Sequence, residues 1–466
     1  MGLSTFSTLN TAARGLEAAR AQIAVTAQNT ANAGTVGYTR QSAQLQAAPG
    51  IQPSGLFPDP TGPGQGVDVV GIGRSSSELL NRQVRTAVGQ SGFQQVRAEA
   101  YSGVEDLLRE PGDSSVSTAV NDFHAAWADV ANHPEDTGAA SVLLEKAAAL
   151  ASRLRGDVHQ LENQYTAQST ELRAEVEQVN ALAGQLAGLN DAIRQTTAAN
   201  GSANELLDVR DQVAEQLTGL TGGQLRLAAD GTSDFLVGGN ALVSGEDHRT
   251  LTAVVGNGPG EPATVSWSHR LGSGIPASAG IDGGSIAGRL SVLSDVGPLA
   301  TATEAYDALA ASIASTTNAV HSTGFTGSGT AGGPFFAYDA GRGASSLAVA
   351  VTDPSGVAHG AEGAGALDGT IADQIAQLGP QVTAPWTGFV TTTGGASRSA
   401  LDGLSLSVGT ESAARASQQS LASVDRDEEA VNLVTFQHAY QASARVLTAV
   451  DEMLDQLINR TGLVGR

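Results

Sequence analysis

The strongest constraint on this chain lies near its C-terminal end. Leu433, Phe436, Tyr440, Ser443, Leu447, Val450, Leu454 and Leu457 recur at alternating three- and four-residue steps, a heptad seam broken only by the small polar Ser443. Asp425, Asp427, Glu428 and Glu429 precede the seam and Arg460 follows it, charges placed to suit a helix dipole. At about 1.5 Å per residue the stripe is roughly 36 Å long. Such a stripe needs a partner. The comparable stripe sits at the other terminus, where Leu9, Ala13, Leu16, Ile23 and Ala27 share a helical face and Arg14, Glu17 and Arg20 are left for solvent or a neighbour. The two terminal helices are therefore expected to pack on each other or on adjoining subunits. A pair built mainly of Ala, Leu and Val should be marginal by itself, which suggests ordering on assembly. The first helix should end among Asn29, Asn32, Gly34 and Gly37, residues that tolerate turns.

Between the ends, a Gly/Pro-rich stretch from Pro49 to Gly73 carries a short strand signal at Val67–Val70. Helical spacing returns through Leu80, Val84, Val88, Val96, Ala100, Val104 and Leu107 and stops at Pro111 and Gly112. A second helix through Val116, Val120, Phe123, Trp127 and Val130 should be capped by Asp113 or Ser114 and closed by His133-Pro134. From about Ala140, the positions Leu150, Leu154, Leu161, Tyr165, Leu172, Val176, Val179, Leu186, Leu189 and Ile193 keep one seam apolar, as in an intramolecular coiled coil. A shorter helix from Asn204 to Leu217 ends at Gly219. Alternation then takes over at Leu225, Leu227, Phe235, Val237, Leu242 and Val243, with a turn at Asp230-Gly231. Helical spacing resumes near Ser285 and runs through Tyr306, Leu309, Ile313 and Val320. An irregular, β-like block that includes Leu347, Val349 and Val351 fills the stretch from Gly324 to about Ala400.

Composition narrows the function. A net charge of -22 with clustered basic residues nowhere evident excludes nucleic acid and disfavours anionic membranes. The absence of cysteine removes disulfides, thiolate metal sites and cysteine nucleophiles. No apolar run could span a membrane or form the core of a cleaved signal peptide, so export, if it occurs, needs another route. The eight histidines form no His-Glu-x-x-His pair, and there is no Gly-x-Ser-x-Gly elbow. Gly327, Gly329 and Gly332 fit a Gly-x-Gly-x-x-Gly spacing but run into Gly333-Pro334, which reads as a loop. Asp208 and Asp211 flank Arg210 as a local ion pair or cap would. No enzyme, metal or cofactor is expected.

The stretch Asn29-Thr30-Ala31-Asn32-Ala33-Gly34-Thr35-Val36-Gly37-Tyr38-Thr39-Arg40 resembles the N-terminal signature of flagellar rod, hook and hook-associated proteins. Asp427-Glu428-Glu429, Asn432-Leu433 and the run from Phe436 to Arg445 resemble the C-terminal end of the same family. Interior stretches point to its hook-associated branch: Leu107 to Pro111, Phe123, Trp127, His133-Pro134, the run Asn204 to Asp211, Ile281 to Gly284, and Phe335-Phe336. Taken together with Arg40, the residues Asn29, Asn32, Gly34, Gly37 and Tyr38 read as a subunit-packing turn. The resemblance implies a structural subunit outside the cell that forms a ring joining hook to filament and leaves through the flagellar type III channel. It also implies contacts with like subunits, the hook protein and the next hook-associated protein, and an export chaperone on the C-terminal helix. The rival readings are a rod or hook protein, which polymerises into a tube, and an adhesin-like binding module, which leaves the paired stripes unexplained.

The expected fold is mainly α with inserted β and with paired termini. Residues 1–36 with 426–466 make a terminal coiled-coil domain; residues 37–221 with 285–323 and 400–425 make a long-helix bundle domain; residues 222–284 with 324–399 make one or two outer β-rich domains.

Overall fold

The structure is a computed structural model that describes residues 5–49, 64–271 and 275–459 of the 466-residue chain. Arg460, the Leu457 side chain and most of the Gly/Pro-rich stretch singled out above lie outside the described residues. The terminal elements are α1 (Thr5–Asn32), β1 (Gln41–Ala47) and β2 (Val67–Arg74) at one end and, at the other, a last helix described below. The body opens with α2 (Glu78–Leu108), α3 (Val116–Asn132), α4 (Thr137–Ala198) and α5 (Asn204–Thr221). Two antiparallel meanders follow: β3 (Gln224–Leu227), β4 (Ser233–Val237), β5 (Asn240–Ser244) and β6 (Asp247–His248), then β7 (Leu251–Val254), β8 (Thr264–Leu271) and β9 (Ile275–Ser278). The chain returns through α6 (Gly284–Val292) and α7 (Pro298–His321), crosses the small pair β10 (Phe336–Ala337) and β11 (Ala348–Val349), and finishes with α8 (Thr370–Ala376), α9 (Gly379–Ala422) and α10 (Arg426–Asn459).

The axis of the body is α4, 62 residues long and so about 93 Å. Its Asp136 cap accepts from Gly138 N at 2.7 Å. Its apolar seam is buried from Leu143 to Ile193, but not as a coiled coil with one partner. Successive lengths are covered by α3, α7, α5 and the sheet strands β5 and β7. Polar side chains within the helix make the joints to the sheets. Asn180 exchanges two hydrogen bonds with the Leu251 backbone (2.9 and 2.7 Å), and the fully buried Asn190 donates to Ser233 O and accepts from Ser233 N. Since buried amides without partners are costly, these residues fix the meanders in register along α4.

Four expectations are corrected. The cap of α3 is Ser115, whose side chain accepts from Thr118 N, rather than Asp113 or Ser114. α5 runs past Gly219 to Gly222, where φ is +68° and a Cβ would stand 2.5 Å from Gly283 Cα. That close passage of two backbones accounts for the glycines of Ile281 to Gly284. β1 has no counterpart in the sequence reading, because Gln41–Ala47 lacks β-branched residues; it is specified by pairing with β2.

The largest correction is α9. Residues 379–399, expected in a β-rich block, form the first half of a 44-residue helix despite Pro385, three consecutive threonines from Thr391 and the pair Gly394-Gly395. Thr383, Thr387, Thr391 and Thr392 each return their hydroxyl to the carbonyl four residues back, which satisfies them without leaving the helix. The face buried against the body is Val382, Trp386, Thr393, Ser397, Ala400 and Ser407, mostly small residues that let α9 lie close along α2. Polar ties run the length of that contact: Trp386 Nε1 to Glu110, Ser397 Oγ to Glu105 and Gln418 to Asn81. Packing here overrides intrinsic propensity.

An aromatic cluster closes the other side of the body. Phe123 and Trp127 of α3 meet Phe335, Phe336 and His321, with ring centroids 5.0 to 6.4 Å apart. The stretch from Gly324 to the start of α8 is an irregular cover that contributes Phe335 and Phe336 to this cluster, with β10 and β11 as its only strands among the described residues.

Candidate assembly interface

α1 and α10 run antiparallel, as Gly15 lies against Ser443 and Gly34 against Arg426. On α10, Val450 is buried, Leu433, Phe436, Ser443, Leu447 and Leu454 are half-buried, and Tyr440 is 39% exposed. On α1, Leu9, Leu16 and Ile23 are half-buried, but Ala13 and Ala27, placed on the stripe by spacing, face solvent. The buried residues are instead Ala12, Ala18, Ala19, Val25, Thr26 and Asn29. The reason is that α1 has two neighbours, α10 on one side and the β1–β2 hairpin on another, so its covered arc is wider than one heptad seam. Arg14, left for solvent or a partner by spacing, pairs with Asp68 of that hairpin at 2.8 Å.

The polar break at Ser443 has a structural use. A Cβ on Gly15 would stand 3.0 Å from Ser443 Oγ, so a glycine and a small hydroxyl together permit close approach of the helices. Gly15→Val should force them apart at a cost of about 1–3 kcal/mol, as overpacking does. Faster amide exchange across the middle of α1 and α10, with α4 unchanged, is the expected reading.

The turn after α1 is built from side-chain bonds. Asn29, 1% exposed, accepts from Tyr38 OH and Gln41 N and donates to Gln41 O, all at 2.9 Å. Burial, reinforced by the carboxylates of Glu205, Asp208 and Glu429, pushes the Tyr38 phenol up to about 12, which keeps it a donor. Asn32 donates to Gln28 O, and its carbonyl accepts Thr35 N, a local helix end. Gly37 has φ +79°, and a Cβ there would fall on Gln212, whose side-chain nitrogen donates to Val36 O at 3.0 Å. Gly34 is exposed.

From this turn, ties spread to the body and to α10. Thr39 N donates to Asp208 Oδ2 at 3.1 Å, and Arg74 at the end of β2 bonds Asp208 at 2.8 Å and Asp211 at 2.9 Å. Burial raises the Asp208 carboxyl above its ordinary value, against the bonds from Thr39 and the charge of Arg74. Arg40 Nε donates to Glu429 and its NH2 to Glu428, each at 2.8 Å, while Arg40 N bonds Ala422 O at 2.9 Å. The Asp208–Asp211 pair, read from spacing as a local cap, thus joins the hairpin to α5 as well as holding Arg210. Sequence spacing singled out both acidic groups, but not Arg74 and Gln212, whose roles depend on a contact between segments far apart in the chain. The polar members of the turn motif, Asn29, Tyr38 and Arg40, are engaged within the chain, and Val36, 90% exposed, marks its outward tip.

The residues that resembled other chemistry do not assemble into it. Gly327, Gly329 and Gly332 lie in and beside a loop closed by a bridge between Phe325 and Ala331. Among the described residues no group of three or more His, Asp or Glu stands ready to hold a metal, and no helix is long and apolar enough to cross a membrane.

Known proteins resemble the chain at both ends and in its interior. Residues 101–336 match the model of the flagellar hook-associated protein FlgK helical domain, residues 9–39 that of flagella basal body rod proteins, and residues 419–460 that of the rod FlgEFG protein C-terminal region. Flagellar hook-associated protein 1 of Bacillus subtilis is 29% identical over 99% of this chain and 100% of its own length. That of Escherichia coli is 30% identical over 71% of this chain and 60% of its own. The solved structure of the flagellar hook junction protein FlgK from Burkholderia pseudomallei is 26% identical, with a TM-score of 0.49 over 55% of this chain and 47% of that one. Rod-type helices at both ends of a helical body define a structural protein of the bacterial flagellum and not an enzyme. Within that class, the chain belongs to the FlgK family of hook-associated proteins.

Proposed function

We propose that this chain is the subunit that joins the flagellar hook to the filament outside the cell. The observation that carries this reading over a rod or hook protein is that the interior helical body, and not the termini alone, is similar to hook-associated proteins. In this reading like subunits form a ring, with the hook protein on one side and the next hook-associated protein on the other. The turn from Asn29 to Arg40, with Gly34, Gly37 and Tyr38, sets the angle at which the terminal helices leave the body. A further set of α10 residues supports an assembly role: Val431 and Val434, 66% and 52% exposed, fall by helical spacing opposite the α1 seam, and Val446 and Met453, 45% and 56% exposed, flank it. An export chaperone covers that face before passage through the type III channel. Residues 222–284 point outward as the β-bearing part.

Deletion of the gene tests this. Cells should keep their hooks, lack filaments and release unpolymerised filament protein into the medium. Loss of the hooks themselves would favour the rod or hook reading.

A further inference from the structure

Among the described side chains His124, His321 and His359 are buried, and all three bond to the backbone of the irregular stretch or of α8. His321, fully buried at the end of α7, has both ring nitrogens engaged. Nδ1 lies 2.7 Å from Gly333 O, and Nε2 lies 3.0 Å from Ala358 N. A carbonyl can only accept and an amide N–H can only donate, so Nδ1 carries the proton and Nε2 is bare. A second proton on Nε2 would face the Ala358 N–H, donor against donor.

His124, 6% exposed on α3, donates from Nδ1 to Ile375 O of α8 at 3.0 Å, and its Nε2 is buried with no partner. The first residue of α9 abuts it, since a Cβ on Gly379 would stand 3.4 Å from the imidazole, and a helix N-terminus disfavours added positive charge. The carboxylates of α3 and α8 are occupied elsewhere, and Glu304 of α7 is exposed. Asp122 pairs with Lys146, Asp129 with His133 and Asp373 with Gln377, and on α7 Asp307 accepts Ala344 N. Asp368 accepts Ala361 N and Thr370, and it faces His359, which therefore has a counter-charge that His124 and His321 lack.

We infer that residues 324–376 form an acid-releasable cover, held closed by His124 and His321 in their neutral forms and opened when either takes up a proton. Opening breaks the bonds to Gly333 O, Ala358 N and Ile375 O, lifts the cover's own Phe335 and Phe336 away and bares Phe123 and Trp127 of α3. Burial holds both imidazoles below the ordinary histidine value, only partly offset by the backbone carbonyls they face. The sign follows from linkage. An unfolded histidine takes its proton near pH 6.5, the folded ones only lower, so the closing energy is complete above about pH 6.5 and falls as the pH drops below it.

Hydrogen exchange on the whole protein, corrected for the intrinsic rate, tests this between pH 7 and pH 5. Opening of residues 324–376 should rise about tenfold at pH 5, while α2 changes much less. The double variant His124→Phe, His321→Gln keeps a donor and an acceptor at position 321 without a titrating group, and it should abolish the rise. No rise in the unaltered protein, an equal rise across the whole chain, or a rise that survives in the double variant would overturn the inference. Should the variant fail to fold, the unaltered protein alone decides through the first two outcomes.

Discussion

Arg40→Ala should loosen α10 from the rest of the molecule at a cost of about 3–5 kcal/mol, the range for removing one partner of a buried ion pair. The size of the effect comes from Glu429, whose side chain is only 2% exposed and whose carboxylate accepts from Arg40 Nε at 2.8 Å. Glu428 is 54% exposed and can fall back on water, so its bond to Arg40 adds little. Amide exchange along α10 should accelerate in the variant, and a protease should cut more readily between Ala422 and Arg426. Adding Glu429→Gln to Arg40→Ala should restore most of the protection, because a neutral amide no longer carries a buried charge. If the single variant leaves exchange in α10 unaltered, the clamp is not what holds that helix.

The two helix ends that meet at this clamp were legible as helices but not as partners through Arg40. Periodicity is a local signal, and the α10 heptads and the α4 seam stand out because one apolar face persists over many turns. Three kinds of information were not local. The first is which side of α1 is covered, since Ala13 and Ala27 fit a stripe but the hairpin draws Ala18 and Val25 inward. The second is the secondary structure of 379–399, where glycine, proline and threonine argue for a loop until α2 supplies a surface that only small residues can approach. The third is the purpose of polar residues inside apolar patterns: Ser443 reads as an interruption and spacing says nothing of Asn180 and Asn190, yet each marks a contact with another element. The turn motif lies between these cases. Its glycines and asparagines announce a bend, and Gly37 has the positive φ that such a residue allows. That Asn29 holds both faces of Gln41 depends on a three-dimensional closure that spacing does not contain.

Asn29→Ala is the sharper test of that closure, with an expected loss of about 2–6 kcal/mol. The methyl group leaves Gln41 N and Gln41 O without their partners in a buried position, and each orphaned backbone group costs about 1–3 kcal/mol. Tyr38 also loses its acceptor. Asn29→Asp separates the contributions, since a carboxylate can still accept from Tyr38 OH and Gln41 N but cannot donate to Gln41 O, and it adds charge beside Glu205, Asp208 and Glu429. It should therefore fall between the native protein and the alanine variant at neutral pH and improve on mild acidification. The damage should also be placed differently from that of Arg40→Ala. Asn29 ties α1 to β1, whose partner strand β2 is tied to α5 by Arg74 and Asn204, so exchange should rise in α1 and the hairpin first and reach α10 only through their shared seam. Equal loosening of both helices in both variants would mean that the terminal pair opens as one unit, with the joint to the body, and not the helix seam, as its weakest link.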